Sequence, residues 1–190
     1  KLAAAIGENS AYAEELNHRN EHSIELSAVW LHYIFHQAKR APCPMIPILI
    51  GSFHHFLSNG HHPAADPVFN HFWDTLKRET AGRRVLVVGS VDLAHVGPAF
   101  GDSFIMDDLR RASLREEDRR LMSAITRGSA TEFYDRIYAV HDRNRICGFA
   151  PLYHMLSYLN ATTGTRIAYD QCPADQMDTS LVSICGLLLQ

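Results

Sequence analysis

Apolar positions recur along this chain with two periods, and the switch between them predicts the elements. From a cap at Asn20 or Glu21, Ile24, Val29, Leu31 and Ile34 or Phe35 fall at roughly helical spacing. Residues 8–18 (ENSAYAEELNH) read as a short helix ahead of it. PVFNHFWDTLKRET (67–80) predicts an amphipathic helix with Pro67 in its first turn. Residues 107–127, 129–140 and 151–161 give three more, the last opening on Pro151. The charged run around 109–120 reads as a solvated helix face. Between these helices stand short apolar runs. MIPILIG (45–51) and RRVLVVGS (83–90) have the continuous character of buried parallel strands, although Pro47 argues against a fully paired central position in the first. TRIAYD (165–170) and SLVSICGLLL (180–189) predict two closing strands, and SFHHFLSNGHHPAAD (52–66) a loop. Helices alternating with apolar strands define an α/β class with helices covering a sheet.

Composition narrows the picture. A chain of 190 residues suits one domain, residues 1–190, and no repeat or Pro/Gly/Ser-rich linker divides it. The formal net charge of −3 gives no reason to expect nucleic acid or an anionic membrane as partner. No apolar run approaches the roughly 20 residues a spanning helix needs. No basic segment followed by an apolar one opens the chain as a signal peptide would. Cys43, Cys147, Cys172 and Cys185 are irregularly spaced without a CxxC, which fits a reduced, cytoplasmic protein.

Three stretches carry candidate chemistry. In VLVVGSVDLAH (85–95), Asp92 and His95 follow the end of a strand, where open α/β sheets place their ligands. On a helical turn they would share a face, and Asp92 would hold the imidazole tautomer, leaving the other nitrogen for a proton or a metal. The alternative is that Asp92 caps a helix and His95 is incidental. In NRICGFAPLYHM (144–155), Cys147 sits just before a helix, where the dipole favours its thiolate; this suits a nucleophile or a soft ligand, although the stretch alone favours a buried structural cysteine. In EHSIE (21–25), His22 and Glu25 share a helix face, and Glu21 either favours the imidazolium or caps the helix; a plain surface histidine reads the same way. Of the twelve histidines, His54, His55, His61 and His62 form two pairs in one loop without the spacing of a structural zinc site. A solvated loop near the mouth of a site explains them.

Taken together, EHSIE (21–25), PILIG (47–51), VLVVGSVDLAHVG (85–97), ICG (146–148) and Y…DTSLVSICG (169–186) resemble the Memo family, whose prokaryotic members are often labelled AmmeMemoRadiSam system protein B. The resemblance implies a single domain like that of class III extradiol dioxygenases: a central mixed sheet with helices on both faces. It implies His22 and Cys147 as metal ligands, His95 as acid–base histidine with Asp92 beside it, and Glu21 and Glu25 as the outer groups that orient His22. The resemblance implies iron(II) first, with copper or zinc compatible; imidazole and thiolate together suit all three better than magnesium or calcium. The family's earlier PHAGY-like segment has no counterpart here, so an N-terminal strand segment of that fold is expected to be missing from this chain.

Three functions remain in view from the residues and the resemblance. One is a metal-binding, Memo-like protein with a His/Cys site at the C-terminal edge of the sheet, its reaction left open and redox chemistry one option. Another is a non-haem iron dioxygenase acting on a small aromatic substrate. The third is a non-catalytic protein that binds a small molecule or peptide in the cleft, or partners a radical enzyme. A fold does not choose among them.

Overall fold

The computed structural model describes residues 1–159 and 163–190. It is an α/β arrangement of helices and a small antiparallel sheet, in two compact units: Lys1–Gly51 with Gly60–Ser90, and Ser52–Asn59 with Val91–Gln190.

The first unit is built on helices. Short α1 (Leu2–Ile6) and α2 (Glu8–Tyr12) lead through a 3-10 turn at Glu15–Arg19 to α3 (Ser23–Gln37). The predicted helix at 8–18 is therefore two pieces, broken where Ala13 and Glu14 leave the first. Helix α5 (Pro67–Thr80) has the predicted bounds. Asp66 caps it, its carboxylate accepting from Val68 N at 2.8 Å and Phe69 N at 3.1 Å, with Pro67 ready for the first turn. Helix α1 packs on α5, and Lys1 Nζ reaches Glu79 at 2.8 Å. The runs 45–51 and 83–90, expected as strands, enter no ladder. A strand needs a neighbour as well as apolar side chains, and none is supplied to either run among the described residues. Val85, Leu86 and Val88 are consequently exposed.

The second unit holds the core. Strand β1 is only His95–Val96; β2 (Gly164–Pro173) and β3 (Leu181–Leu189) form the long pair, in the order β1-β3-β2, all antiparallel. The described sheet is thus smaller than the central mixed sheet expected, and is antiparallel throughout. Tyr169 faces Cys185 across the pair, and the register shifts between Arg166 and Ala168.

Helix α6 (Asp108–Thr126) lies against β2 and β3. Its buried stripe runs Leu114, Asp118, Leu121, Ile125, the spacing of one helix face. Asp107 caps it through Arg110 N at 2.8 Å. Helices α7 (Ala130–Tyr138) and α8 (Phe149–Leu159) pack on each other. Residues 160 and 161 of the predicted last helix lie outside the described residues. The loop expected over 52–66 contains a real helix, α4 (His54–Asn59). Phe53 and Phe56 at its start are buried, and Phe53 meets Phe149 and Tyr153 edge-on at 5.3 and 5.4 Å. In the sequence the histidines of this stretch are conspicuous, but it is the two phenylalanines that anchor it.

Candidate functional site

Two of the three chemical stretches are laced together in the second unit. Cys147 N donates to Leu93 O at 3.0 Å, Gly148 N to Asp92 O at 2.9 Å, and His95 N to Asn144 O at 2.8 Å. Segments 92–95 and 144–148 therefore run side by side through main-chain bonds, which hold whatever side chains they carry. Close approach is a condition of this lacing. A Cβ on Gly148 would stand 2.8 Å from Leu152 Cδ1 and Val91 Cγ2 and 3.0 Å from Asp92 O. Glycine in the ICG motif lets the two segments approach this closely without displacing a neighbour.

The C-terminal motif shapes the same place. Ser183 exchanges main-chain bonds with Leu93 and Ala94, and its Oγ accepts from Ala94 N at 2.9 Å. Ser180 Oγ accepts from Ala99 N at 2.9 Å. Gly97, at φ 106°, passes so close that a Cβ would come within 2.6 Å of Ser180 Cα. Asp175 fixes the turn before β3; the Ser180 hydroxyl and the Thr179 amide hold its carboxyl at about 2. The serines of DTSLVSICG thus work as acceptors that fold VDLAHVG, a task unreadable without the three-dimensional pairing.

Within this frame His95 lies in β1 opposite Val182, and not on a helical turn. Ladder pairing with β3 took the segment that the i, i+3 spacing had suggested for a helix. Asp92 and His95 remain neighbours: Oδ2 and Nε2 stand 3.8 Å apart. That is too long for a hydrogen bond. The His95 ring is about one-fifth exposed and meets Phe100 edge-on at 5.1 Å. Cys147 is a free, exposed thiol at the approach to α8.

Two residues that the sequence did not single out hold His95 from behind. Arg145 Nη1 donates to His95 O at 3.1 Å and makes a two-pronged pair with Asp102, whose Oδ2 also accepts from Gly97 N at 2.8 Å. The Arg145 guanidinium and the Gly97 amide hold the Asp102 carboxyl below the ordinary carboxylate range, against its burial. The only sequence signal was the arginine inside RICG.

EHSIE belongs to the first unit. His22 occupies the N-cap position of α3 and is exposed, without a capping bond from its own side chain. Glu21 does the capping: its Oε1 accepts from Ser23 N at 2.7 Å, and this bond, helped by the neighbouring His22, lowers its pKa. Glu25 stands exposed in the first turn. Ser90, ending VLVVGS, donates from Oγ to Ser23 O at 2.9 Å, tying the start of α3 to the end of that run. Among the described residues no three His, Cys, Asp or Glu side chains group so as to hold a metal ion.

An α/β fold whose ICG and VDLAH segments are laced together, under a C-terminal serine-bearing strand, defines the class. A family model described as Memo-like protein matches residues 4–188, across both units, and the chain belongs to the Memo family. It is similar to a MEMO1 family protein of Aquifex aeolicus (strain VF5), 27% identical over 180 residues, which cover 91% of this chain and 41% of that protein. It is also similar to a MEMO1 family protein of Methanosarcina mazei (strain ATCC BAA-159 / DSM 3647 / Goe1 / Go1 / JCM 11833 / OCM 88), 28% identical over 155 residues, 81% of this chain and 48% of that protein. The chain spans less than half the length of these curated relatives. No helix among the described residues is long and apolar enough to cross a membrane.

Proposed function

We propose that this Memo-family chain supplies thiol and imidazole donors to a metal site of redox character. Cys147 and His22 are the ligands and His95, with Asp92, the acid–base group. The observation that carries this reading is the lacing of 144–148 to 92–95, which fixes an exposed thiol and a partly exposed imidazole on paired segments. His22 enters through its EHSIE motif alone, with Glu21 and Glu25 as its outer groups. The donor types fit iron(II), and also copper or zinc, far better than magnesium or calcium. Bound there, such a metal would supply Lewis-acid or electron-transfer chemistry. A protein with four unpaired cysteines belongs in a reducing compartment such as the cytoplasm.

A second reading draws on the lack of a three-donor group among the described residues. In it the chain is a non-catalytic binding module for a small molecule or peptide, or the companion of a radical enzyme.

Metal content separates the two. After chelator treatment, the protein is loaded anaerobically with iron(II), and separately with copper(I) and zinc, then assayed by elemental analysis beside His22→Ala and Cys147→Ser. The expected result is about one ion per chain, lost in both variants. Wild-type protein without stoichiometric metal would overturn the metal reading and leave the binding module. Oxygen uptake by the iron form with small aromatic substrates then tests for a dioxygenase.

A further inference from the structure

We propose that Arg145 is a positioning residue, which sets the place and tautomer of the His95 ring through its pair with Asp102. This deepens the reading of His95 as acid–base group and rests on it for its meaning. Both main-chain groups of His95 end on one two-residue segment: its N–H on Asn144 O at 2.8 Å, and its C=O on the Arg145 guanidinium at 3.1 Å. The same guanidinium grips Asp102 with both nitrogens, at 2.6 and 3.1 Å. Asp102 in turn takes the Gly97 amide, so residues 95 and 97 are fastened to one ion pair. A planar fork can make all these bonds at once, and a lysine cannot.

The segment that presents Arg145 turns sharply, and Arg145 is the residue type in it least suited to the backbone it adopts. His141, Asp142 and Arg145 all adopt left-handed backbone, at φ 50°, 47° and 50°, without being glycine. Such residues persist only where surrounding bonds over-determine them, and they gather at functional sites. The bonds are present. Asp142 Oδ1 accepts from Ile146 N at 2.8 Å. Glu117 of α6 takes Arg143 on one oxygen and Asn144 Nδ2, at 2.7 Å, on the other. The loop between α7 and α8 is thus tied down on both sides of Arg145. It delivers a guanidinium to the back of a histidine whose ring nitrogen lies 3.8 Å from a carboxylate.

The test uses the full chain labelled with 15N-histidine, without metal, so that its outcome is independent of metal binding. His95 signals are assigned by their loss in His95→Gln. Arg145→Lys keeps the charge, Arg145→Gly removes the fork while relieving the left-handed backbone, and Asp102→Asn breaks the pair from the other side. Each is expected to change the ratio of the two neutral His95 tautomers, read from the ring nitrogen shifts. Acylation of His95 by diethylpyrocarbonate, followed by peptide mass spectrometry, is expected to speed up about tenfold, on the scale of one lost charge-assisted pair. Guanidinium ion at a few millimolar should restore the wild-type ring signals in Arg145→Gly. Should that variant fail to fold, Arg145→Lys and Asp102→Asn carry the test. Unchanged His95 ring signals in folded variants, whatever their stability, would overturn the proposal and reduce the pair to a loop tie. A changed ring in a protein that binds no metal would uphold the clamp and sink only the metal reading.

Discussion

A carboxylic acid in the middle of a core stripe has to justify its place, and Asp118 does so incompletely. It is fully buried on α6. Its Oδ2 accepts from the Tyr169 hydroxyl at 2.8 Å, which itself accepts from Gln171 Nε2 at 3.0 Å. Among the described residues its Oδ1 is buried without a hydrogen-bond partner. Burial pushes the Asp118 carboxyl above its ordinary range, against the pull of the Ser183 and Tyr169 hydroxyls. Burial and the Asp118 charge together push the Cys185 thiol up to about 11. The folded protein therefore holds the Asp118 proton more tightly than the unfolded chain does. The stabilising contribution is complete below the unfolded aspartate pKa and is lost as pH rises through the higher folded value. Asp118→Asn keeps an acceptor for Tyr169 and cannot ionise. Urea melts of both proteins from pH 4 to 8 should show the stability difference moving steadily in the variant's favour as pH rises. A difference that is flat with pH, or that moves the other way, would remove Asp118 from the titrating groups.

At the scale of elements, the site depends on how closely segment 144–148 approaches 92–95. Gly148→Ala puts a methyl group 2.8 Å from two side-chain carbons and 3.0 Å from a main-chain oxygen. Overpacking of this kind should destabilise the protein by about 1–3 kcal/mol. Because Gly148 N also bonds Asp92 O, the neighbouring Cys147 should react with a thiol reagent at a changed rate while Cys43, in the other unit, does not. Equal rates at Cys147 in both proteins would show that the lacing is not what places the thiol. Much of this was legible beforehand. Caps and periodicity gave α5, α6 and α7 almost to the residue, and apolar runs gave β2 and β3. Helix α4 was hidden because its anchors, Phe53 and Phe56, are too few to show a period. The setting of His95 was hidden for another reason. An i, i+3 spacing fits a helical turn, but the pairing that overrode it came from β3, some ninety residues later. Arg145 and Asp102 carry no local pattern at all, since they meet only after the chain has folded.

At the scale of the whole chain, apolar burial is unevenly shared. Pro63 and Trp73 are the buried apolar side chains of the first unit among the described residues, while the second unit holds a continuous aromatic and aliphatic core. Helix α3 has no buried residue, and leaves Val29, Trp30 and Ile34 more than half exposed. Hydrophobic stabilisation follows the apolar area removed from water, so the first unit should open at lower free energy than the second. The chain contains its own reporters for this. Both its tryptophans, Trp30 and Trp73, belong to the first unit, and the β2–β3 ladder to the second. Urea unfolding followed by tryptophan fluorescence should reach its midpoint about 1 M or more before the exchange protection of the β2–β3 amides collapses, a breach of two-state behaviour. A dye that binds exposed apolar surface should bind before either transition, because the α3 face and the 85–88 run already present such surface in the folded chain. Coincident midpoints with no dye binding would mean that the first unit's apolar positions are covered in solution, and that the two units unfold as one.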